Sequence, residues 1–208
     1  MHRVVPQIII DNFREGRFKG EFRAVGLFLD LSGFSTMTDV LMQHGQHGAE
    51  VLAGLMHGVF DPLVEGIFHY GGNVIGFAGD GVMALFPVET EAKDVVLCAL
   101  AAAWDVQQRL IENPARQTVY GKFQFTVKVG IALGDVTWGI LCSQDGRNAT
   151  YFFRGSAVDD SSKAEQSAGA GEIRLPEETY SLVREAIFAP PNCTVARIRI
   201  GAATFGRI

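Results

Sequence analysis

The tripeptide Gly79-Asp80-Gly81 constrains the fold more than any other feature of the chain. It lies between two short strand-like runs, Asn73–Ala78 and Val82–Phe86, and glycine and aspartate between such runs mark a tight hairpin. A hairpin needs antiparallel pairing, which tilts the choice between α+β and α/β toward a mixed or mostly antiparallel sheet. A second buried strand is expected at Ala24–Leu29, a continuous apolar run that ends at Asp30 and is bounded by Gly20 and Gly33.

Helices are expected between these strands. Ser35 and Thr36 are candidate N-caps for a helix running through Leu41. Further on, Val51, Leu55, Val59, Leu63 and Ile67 lie four apart, beside a second row at Leu52, Met56, Phe60, Val64 and Phe68. Together they form one wide apolar stripe on a long helix. Pro62 should kink or divide that helix, and Gly71-Gly72 should stop it. Glu91 to about Ile111 is Ala-rich with helical period. Phe123, Phe125, Val127, Val129 and Ile131 alternate with Gln124, Thr126, Lys128 and Gly130, as in a half-buried strand, and Gly134-Asp135 should turn the chain into Val136–Cys142. Ser143–Ala149 reads as a loop, Thr150–Phe153 as a strand, Ala157–Ala168 as a helix, Glu172–Leu175 as a strand and Pro176–Ile187 as a helix. After the break at Ala189-Pro190-Pro191-Asn192, Thr194–Ile200 alternates like a final strand. Strands in hairpins separated by long helices give an α+β chain, a mostly antiparallel sheet with helices packed on it.

The 208 residues suit one domain, with 1–20 as an N-terminal lead-in and 21–208 as the domain proper. With 48% hydrophobic residues the chain is not disordered. Its 18 Lys and Arg against 23 Asp and Glu give −5, a balance that disfavours nucleic acid as a partner. Cys98, Cys142 and Cys193 form no C-x-x-C pair, so reduced thiols in a cytoplasmic protein are expected. The apolar run at Gln7–Ile10 is too short for a signal or a span, and no stretch of about 18 uncharged apolar residues occurs later, so no membrane span is expected. There is no phosphate-binding G-x-x-x-x-G-K-[ST]. His44, His47, His57 and His69 could contribute to a His/carboxylate metal site, though no H-E-x-x-H supports one. Trp104 and Trp138 read as core or interface residues.

Asp30 closes a strand ahead of a helix N-terminus, where backbone N–H groups can receive phosphate. It could equally be an ordinary strand-end carboxylate that caps the helix. Asp80 could be only a turn residue. Two carboxylates at the end of one sheet can, however, share a pair of divalent ions with a phosphate substrate.

The segment Phe28-Leu29-Asp30-Leu31-Ser32-Gly33-Phe34-Ser35-Thr36-Met37-Thr38 is similar to the first metal motif of class III nucleotide cyclases. Gly71 to Phe86, which includes Phe77-Ala78-Gly79-Asp80-Gly81, is similar to the second. Val127–Gly134 resembles the strand that follows, and Gly155-Ser156-Ala157-Val158-Asp159-Asp160 the late helix motif. These motifs fall in family order over about residues 22–187. The resemblance implies a ferredoxin-like nucleotide cyclase fold working as a head-to-tail pair of domains. It also implies conversion of ATP or GTP to a 3′,5′-cyclic nucleotide and pyrophosphate, assisted by two Mg²⁺ (or Mn²⁺) ions. On it, Asp30 and Asp80 are the catalytic metal ligands and the backbone of Leu31 assists them, while Ser32, Gly33, Phe34 and Ser35 hold phosphate.

The family's other half-site is missing. Gly76 and Phe152 stand where base-reading residues are expected. Asp159 stands at the ribose-fixing Asn and Lys163 at the charge-stabilising Arg, whose planar fork a lysine cannot reproduce. Asp135 stands where many first-half domains carry a phosphate-binding Arg. The pattern resembles the first catalytic half of bicarbonate-responsive soluble adenylyl cyclases, although the bicarbonate-binding places are Gly76 and Ser162 here. The resemblance therefore implies the metal-binding half of an ATP site, completed by a second cyclase domain or a homodimer partner. The alternative is an inactive nucleotide-binding, regulatory or dimerisation module on the same fold.

Overall fold

The structure is a computed structural model that describes residues 5–112, 115–145, 147–187, 199–202 and 206–207. The elements are α1 (Gln7–Arg14), β1 (Lys19–Ser32), α2 (Phe34–Met42), α3 (Gly45–His69), β2 (Asn73–Ala78), β3 (Gly81–Pro87), α4 (Ala92–Glu112), β4 (Ala115–Thr118), β5 (Gly121–Gln124), β6 (Thr126–Cys142), β7 (Ala149–Arg154), α5 (Ser156–Gln166), β8 (Glu172–Leu175), α6 (Glu177–Ile187), β9 (Arg199–Ala202) and β10 (Gly206–Arg207). The main sheet runs β10-β9-β8-β6-β1-β3-β2, with β7 also on β6. Its pairs are antiparallel apart from β6–β8 and β8–β9. This is the expected α+β sheet.

The central strand β1 has two buried faces with different packing. Val25, Leu27, Leu29 and Leu31 enter the main core with Val127, Val129 and Ile131 of β6 and with α3 and α4. On the opposite face α5 comes so close that only glycine fits beneath it. A Cβ on Gly26 would lie 2.1 Å from the Ala157 carbonyl oxygen, one on Gly130 2.0 Å from that of Ser161, and one on Gly134 2.4 Å from the Ala157 nitrogen. These three glycines form the groove that receives α5.

That groove explains one departure from expectation. Gly134-Asp135 makes no turn: β6 continues unbroken from Thr126 to Cys142, and Gly134 serves close packing. A second departure is that Phe123 belongs to β5, in a separate β4–β5 hairpin, rather than to the strand carrying Ile131. Of the two outcomes expected at Pro62, a kink or a division, division does not occur: α3 runs continuously over 25 residues. The proline ring faces the carbonyl of Gly58, an exposed residue without a side chain, so the freed acceptor can be hydrated. The glycine stop is as expected. Gly71 takes φ +86°, with Gly72 N–H donating to Ile67 O at 2.9 Å and Gly71 N–H to Phe68 O at 3.1 Å, the paired bonds of a Schellman end.

By length and a mean hydropathy of 1.4, α3 matches a membrane-crossing helix. Here Val59, Phe60, Leu63, Val64 and Ile67 pack in the domain, and Asp61 and Glu65 interrupt its apolar sequence. The lead-in forms α1, whose Ile9 packs with Trp138 and Ile140. Trp104 packs at the edge of the main core. Of the expected strand Thr194–Ile200, Arg199 and Ile200 open β9; the rest, like Cys193 and the Ala189–Asn192 break, lies outside the described residues. Cys98 and Cys142 are exposed thiols.

Candidate functional site

Strand register brings the two aspartates together. Asp30 is the Cα partner of Gly81 in β3, so Asp80, the preceding residue, sits at the same end of the sheet. Paired strands lie about 4.8 Å apart, which puts both carboxylates within reach of one polyphosphate. The β2–β3 turn is a two-residue loop, Ala78 pairing with Gly81. Gly79 takes φ +64° while Asp80 keeps negative φ, the glycine-first arrangement of a type II′ turn. Both aspartates are half-buried.

From Asp30 the chain passes through Leu31 and Ser32 to Gly33 and enters α2 at Phe34. The expected side-chain caps at Ser35 and Thr36 are not made. Gly33 is the N-cap, at φ +97° with no capping side chain. Its own carbonyl accepts from Met37 N–H at 3.2 Å, and the first-turn N–H groups of Phe34, Ser35 and Thr36 are left without a side-chain cap. Leu31 buries its side chain in the core, so only its backbone is placed to serve a ligand. The Phe34 ring stands edge-on to Phe60 at 5.9 Å, and Phe60 edge-on to Phe77 at 6.2 Å. An aromatic row thus links the turn after Asp30 to the hairpin that carries Asp80.

Gly33 is required twice over. Its φ disfavours any side chain, and a Cβ would lie 2.3 Å from the Gln124 carbonyl oxygen at the end of β5. Gly33→Ala is expected to cost about 2 kcal/mol or more in stability, measurable as a lower urea midpoint, and to shift the α2 N-terminus.

The sequence reading missed two charged residues at this end of the sheet. Lys128 is the Cα partner of Asp30 on β6. Its Nζ lies 3.5 Å from Asp30 Oδ2 and 2.6 Å from Glu165 Oε1. Glu165, on α5, is 4% exposed. The Lys128 ammonium is held above the ordinary lysine range, first by Glu165 and then, more weakly, by Asp30, against the opposing effect of burial. In the sequence both residues look like ordinary polar positions, one on a half-buried strand and one on a charged helix. Only the β1–β6 register and the docking of α5 bring them to Asp30.

The second-half positions are dispersed, with Gly76 on the hairpin that carries Asp80. Gly76 follows a register irregularity in β2. Phe152 is partly exposed on β7, opposite Gly139, eleven residues along β6 from Lys128, or roughly 35 Å at strand rise. Asp159 and Lys163 are on the exposed side of α5, with Lys163 paired to Asp160 at 2.8 Å. Asp135, expected on a turn, is mid-strand opposite Arg23, seven residues from Lys128 and away from the aspartate end.

Two of the four candidate histidines hold a hairpin in place. His44 stacks on Tyr120 at 3.9 Å and His47 Nδ1 hydrogen-bonds the Tyr120 hydroxyl. Together they pin the β4–β5 hairpin, and with it Gln124, beside the Gly33 turn. Among the described residues, no three His, Cys, Asp or Glu side chains gather as a metal cage. A two-carboxylate site beside an uncapped helix N-terminus is a different donor set. Hard carboxylate oxygens suit Mg²⁺ or Mn²⁺.

The Adenylate and Guanylate cyclase catalytic domain family matches residues 21–199. Adenylate cyclase type 10 of Mus musculus is 27% identical over 164 residues, covering 77% of this chain and 10% of that protein. The Homo sapiens protein of the same name is 27% identical over 183 residues, covering 86% and 11%. The chain thus spans about a tenth of the length of these relatives. Among solved structures, the adenylyl cyclase CyaB from P. aeruginosa superposes with a TM-score of 0.61 at 23% identity, covering 80% of this chain and 83% of that one. The guanylate cyclase domain of RhGC from Catenaria anguillulae, solved in complex with GTP, gives 0.61 at 19% identity, covering 79% and 84%.

Proposed function

Because the chain belongs to the adenylate and guanylate cyclase catalytic domain family, we propose that it converts ATP to 3′,5′-cyclic AMP and pyrophosphate. In this reading it is a cytoplasmic domain that supplies the metal-binding half of a site completed by a second cyclase domain. One observation carries the reading: a single strand register brings Asp30 and Asp80 to the same sheet end, beside the uncapped α2 N-terminus.

Asp30 and Asp80, with the Leu31 backbone, would hold two Mg²⁺ or Mn²⁺ ions. Bound there, such ions make the ribose 3′-oxygen a better nucleophile and neutralise charge on the leaving phosphates. The first-turn N–H groups of α2 bind and orient the phosphate oxygens. The Lys128 ammonium balances the Asp30 charge while no ion is bound. In the reaction the 3′-hydroxyl loses its proton, a bond forms from its oxygen to the α-phosphorus, and the bond to the bridging oxygen of pyrophosphate breaks. Base and ribose recognition would come from the partner domain, since Gly76, Phe152 and Asp159 offer neither the donors nor the neutral amide required. ATP is favoured over GTP by the likeness to adenylate cyclase type 10.

The test is a cyclic AMP assay with Mg²⁺ or Mn²⁺, on the chain alone and mixed with a cyclase domain carrying the Lys, Asn and Arg this chain lacks. Turnover is expected only in the mixture. Strong activity of the chain alone would overturn the half-site reading. Nucleotide binding without turnover alongside every completing domain would make the chain an inactive module instead.

A further inference from the structure

We propose that Lys128 is a resident counter-cation of Asp30, and that Glu165 is a positioning residue whose carboxylate lets the ammonium withdraw when a divalent cation is taken up at Asp30. This rests on the reading of Asp30 and Asp80 as the metal pair.

The geometry is that of one cation shared between two carboxylates. Lys128 Nζ is 2.6 Å from Glu165 Oε1 and 3.5 Å from Asp30 Oδ2. The Lys128 and Asp30 side chains are about a quarter exposed, whereas that of Glu165 is 5% exposed. The contact to Glu165 is the shorter of the two, so the ammonium keeps that partner when Asp30 is engaged elsewhere. Glu165 itself cannot follow the lysine outward. At Gly130 the α5 backbone is pressed onto β6, where a Cβ would meet Glu165 N at 2.3 Å. The mobile partner is therefore Lys128, a point charge with rotatable donors on a flexible four-carbon stem.

The energetics follow from charge. A divalent cation on Asp30 would sit within a few ångströms of the ammonium and repel it. A lysine with Asp30 as its only anion would then have to leave, or stay half-buried and unpaired, and either course works against ion binding. Glu165 removes that conflict, because the ammonium keeps a buried anion whether or not Asp30 is engaged. The Glu165–Lys128 pair thereby sets how readily the aspartate end accepts its ions.

The experiment is Mn²⁺ binding to the 208-residue chain without nucleotide, followed by the electron paramagnetic resonance signal of the free ion. It compares the wild type, Glu165→Gln, Lys128→Gln and the double variant. Glu165→Gln is expected to weaken Mn²⁺ binding on the order of tenfold, the low end of what one charge partner does at this range. Lys128→Gln should tighten it, a change that damage to the fold would not produce. The double variant, which leaves no buried unpaired charge, should match Lys128→Gln within about twofold and bind at least as tightly as wild type. Unchanged binding in Glu165→Gln, or equal weakening by Glu165→Gln in both backgrounds, would overturn the proposal. Asp30→Asn combined with Asp80→Asn separates the two readings. Undiminished Mn²⁺ binding in that variant defeats the metal assignment itself, whereas lost binding there with no coupling between Glu165 and Lys128 defeats only the role given to Glu165.

Discussion

With a completing cyclase domain supplied, Asp80→Asn and Asp30→Asn should each lower cyclic nucleotide formation at least roughly a thousandfold while the fold stays intact. Each substitution keeps the shape of the side chain and removes its charge. Asparagine is at home in a glycine-flanked turn, so the Gly79–Gly81 hairpin should form unchanged. At position 30 the strand pairing with Gly81 and Lys128 is made by the backbone and is indifferent to the swap. Ligand charge is another matter. Hard divalent ions at such sites depend on one or two carboxylates, and metal stabilisation of a reacting phosphate is worth several kcal/mol. At about 1.4 kcal/mol per factor of ten in rate, loss of about 4 kcal/mol gives the stated effect. Initial rates with Mg²⁺ and with Mn²⁺, beside a thermal melt of each variant, measure it. Near-normal rates would remove these aspartates from the mechanism.

The second large effect concerns stability. Gly130→Ala should destabilise the domain by about 3 kcal/mol, at the upper end of the usual cost of overpacking. The added methyl would lie 2.0 Å from the Ser161 carbonyl oxygen and 2.3 Å from Glu165 N. Both are backbone atoms of α5, so no side chain can rotate away and the whole helix must lift. For a domain of this size the melting temperature should fall by about 6–12 °C. The lifted helix would also draw Glu165 off Lys128, so Mn²⁺ binding should weaken together with stability. A melting temperature within about 2 °C of wild type would mean that α5 does not seat on Gly130 as described.

Much of this arrangement was legible in the residues. The turn at Gly79-Asp80-Gly81 rests on local backbone chemistry, and so does the end of α3 at Gly71-Gly72; both formed as expected. The two aspartates stood out because each closes or turns a strand, and their common sheet end follows from hairpin and register. Other features depend on contacts that no local pattern encodes. Gly134 has the composition of a turn but lies in the groove under α5. Ala115–Thr118 has no apolar alternation, so its hairpin with β5 leaves no trace in the pattern, and Phe123 belongs to that hairpin although its alternation continues into β6. Lys128 and Glu165 each carry the polarity of a solvated face, and their meeting needs three elements, β1, β6 and α5, in place at once. Ser35 and Thr36 looked like caps because hydroxyls usually are. Here Gly33 takes the N-cap position, which leaves the first-turn N–H groups open to a ligand.

The unbroken run of β6 also bears on how the domain could be redesigned. A stiff strand holds the aspartate end and the Phe152 region roughly 35 Å apart. Changes so far apart combine close to additively. The stability cost of a change near Phe152 should therefore add to that of a change near Asp30 whichever is made first, as with two loads hung at opposite ends of one bar.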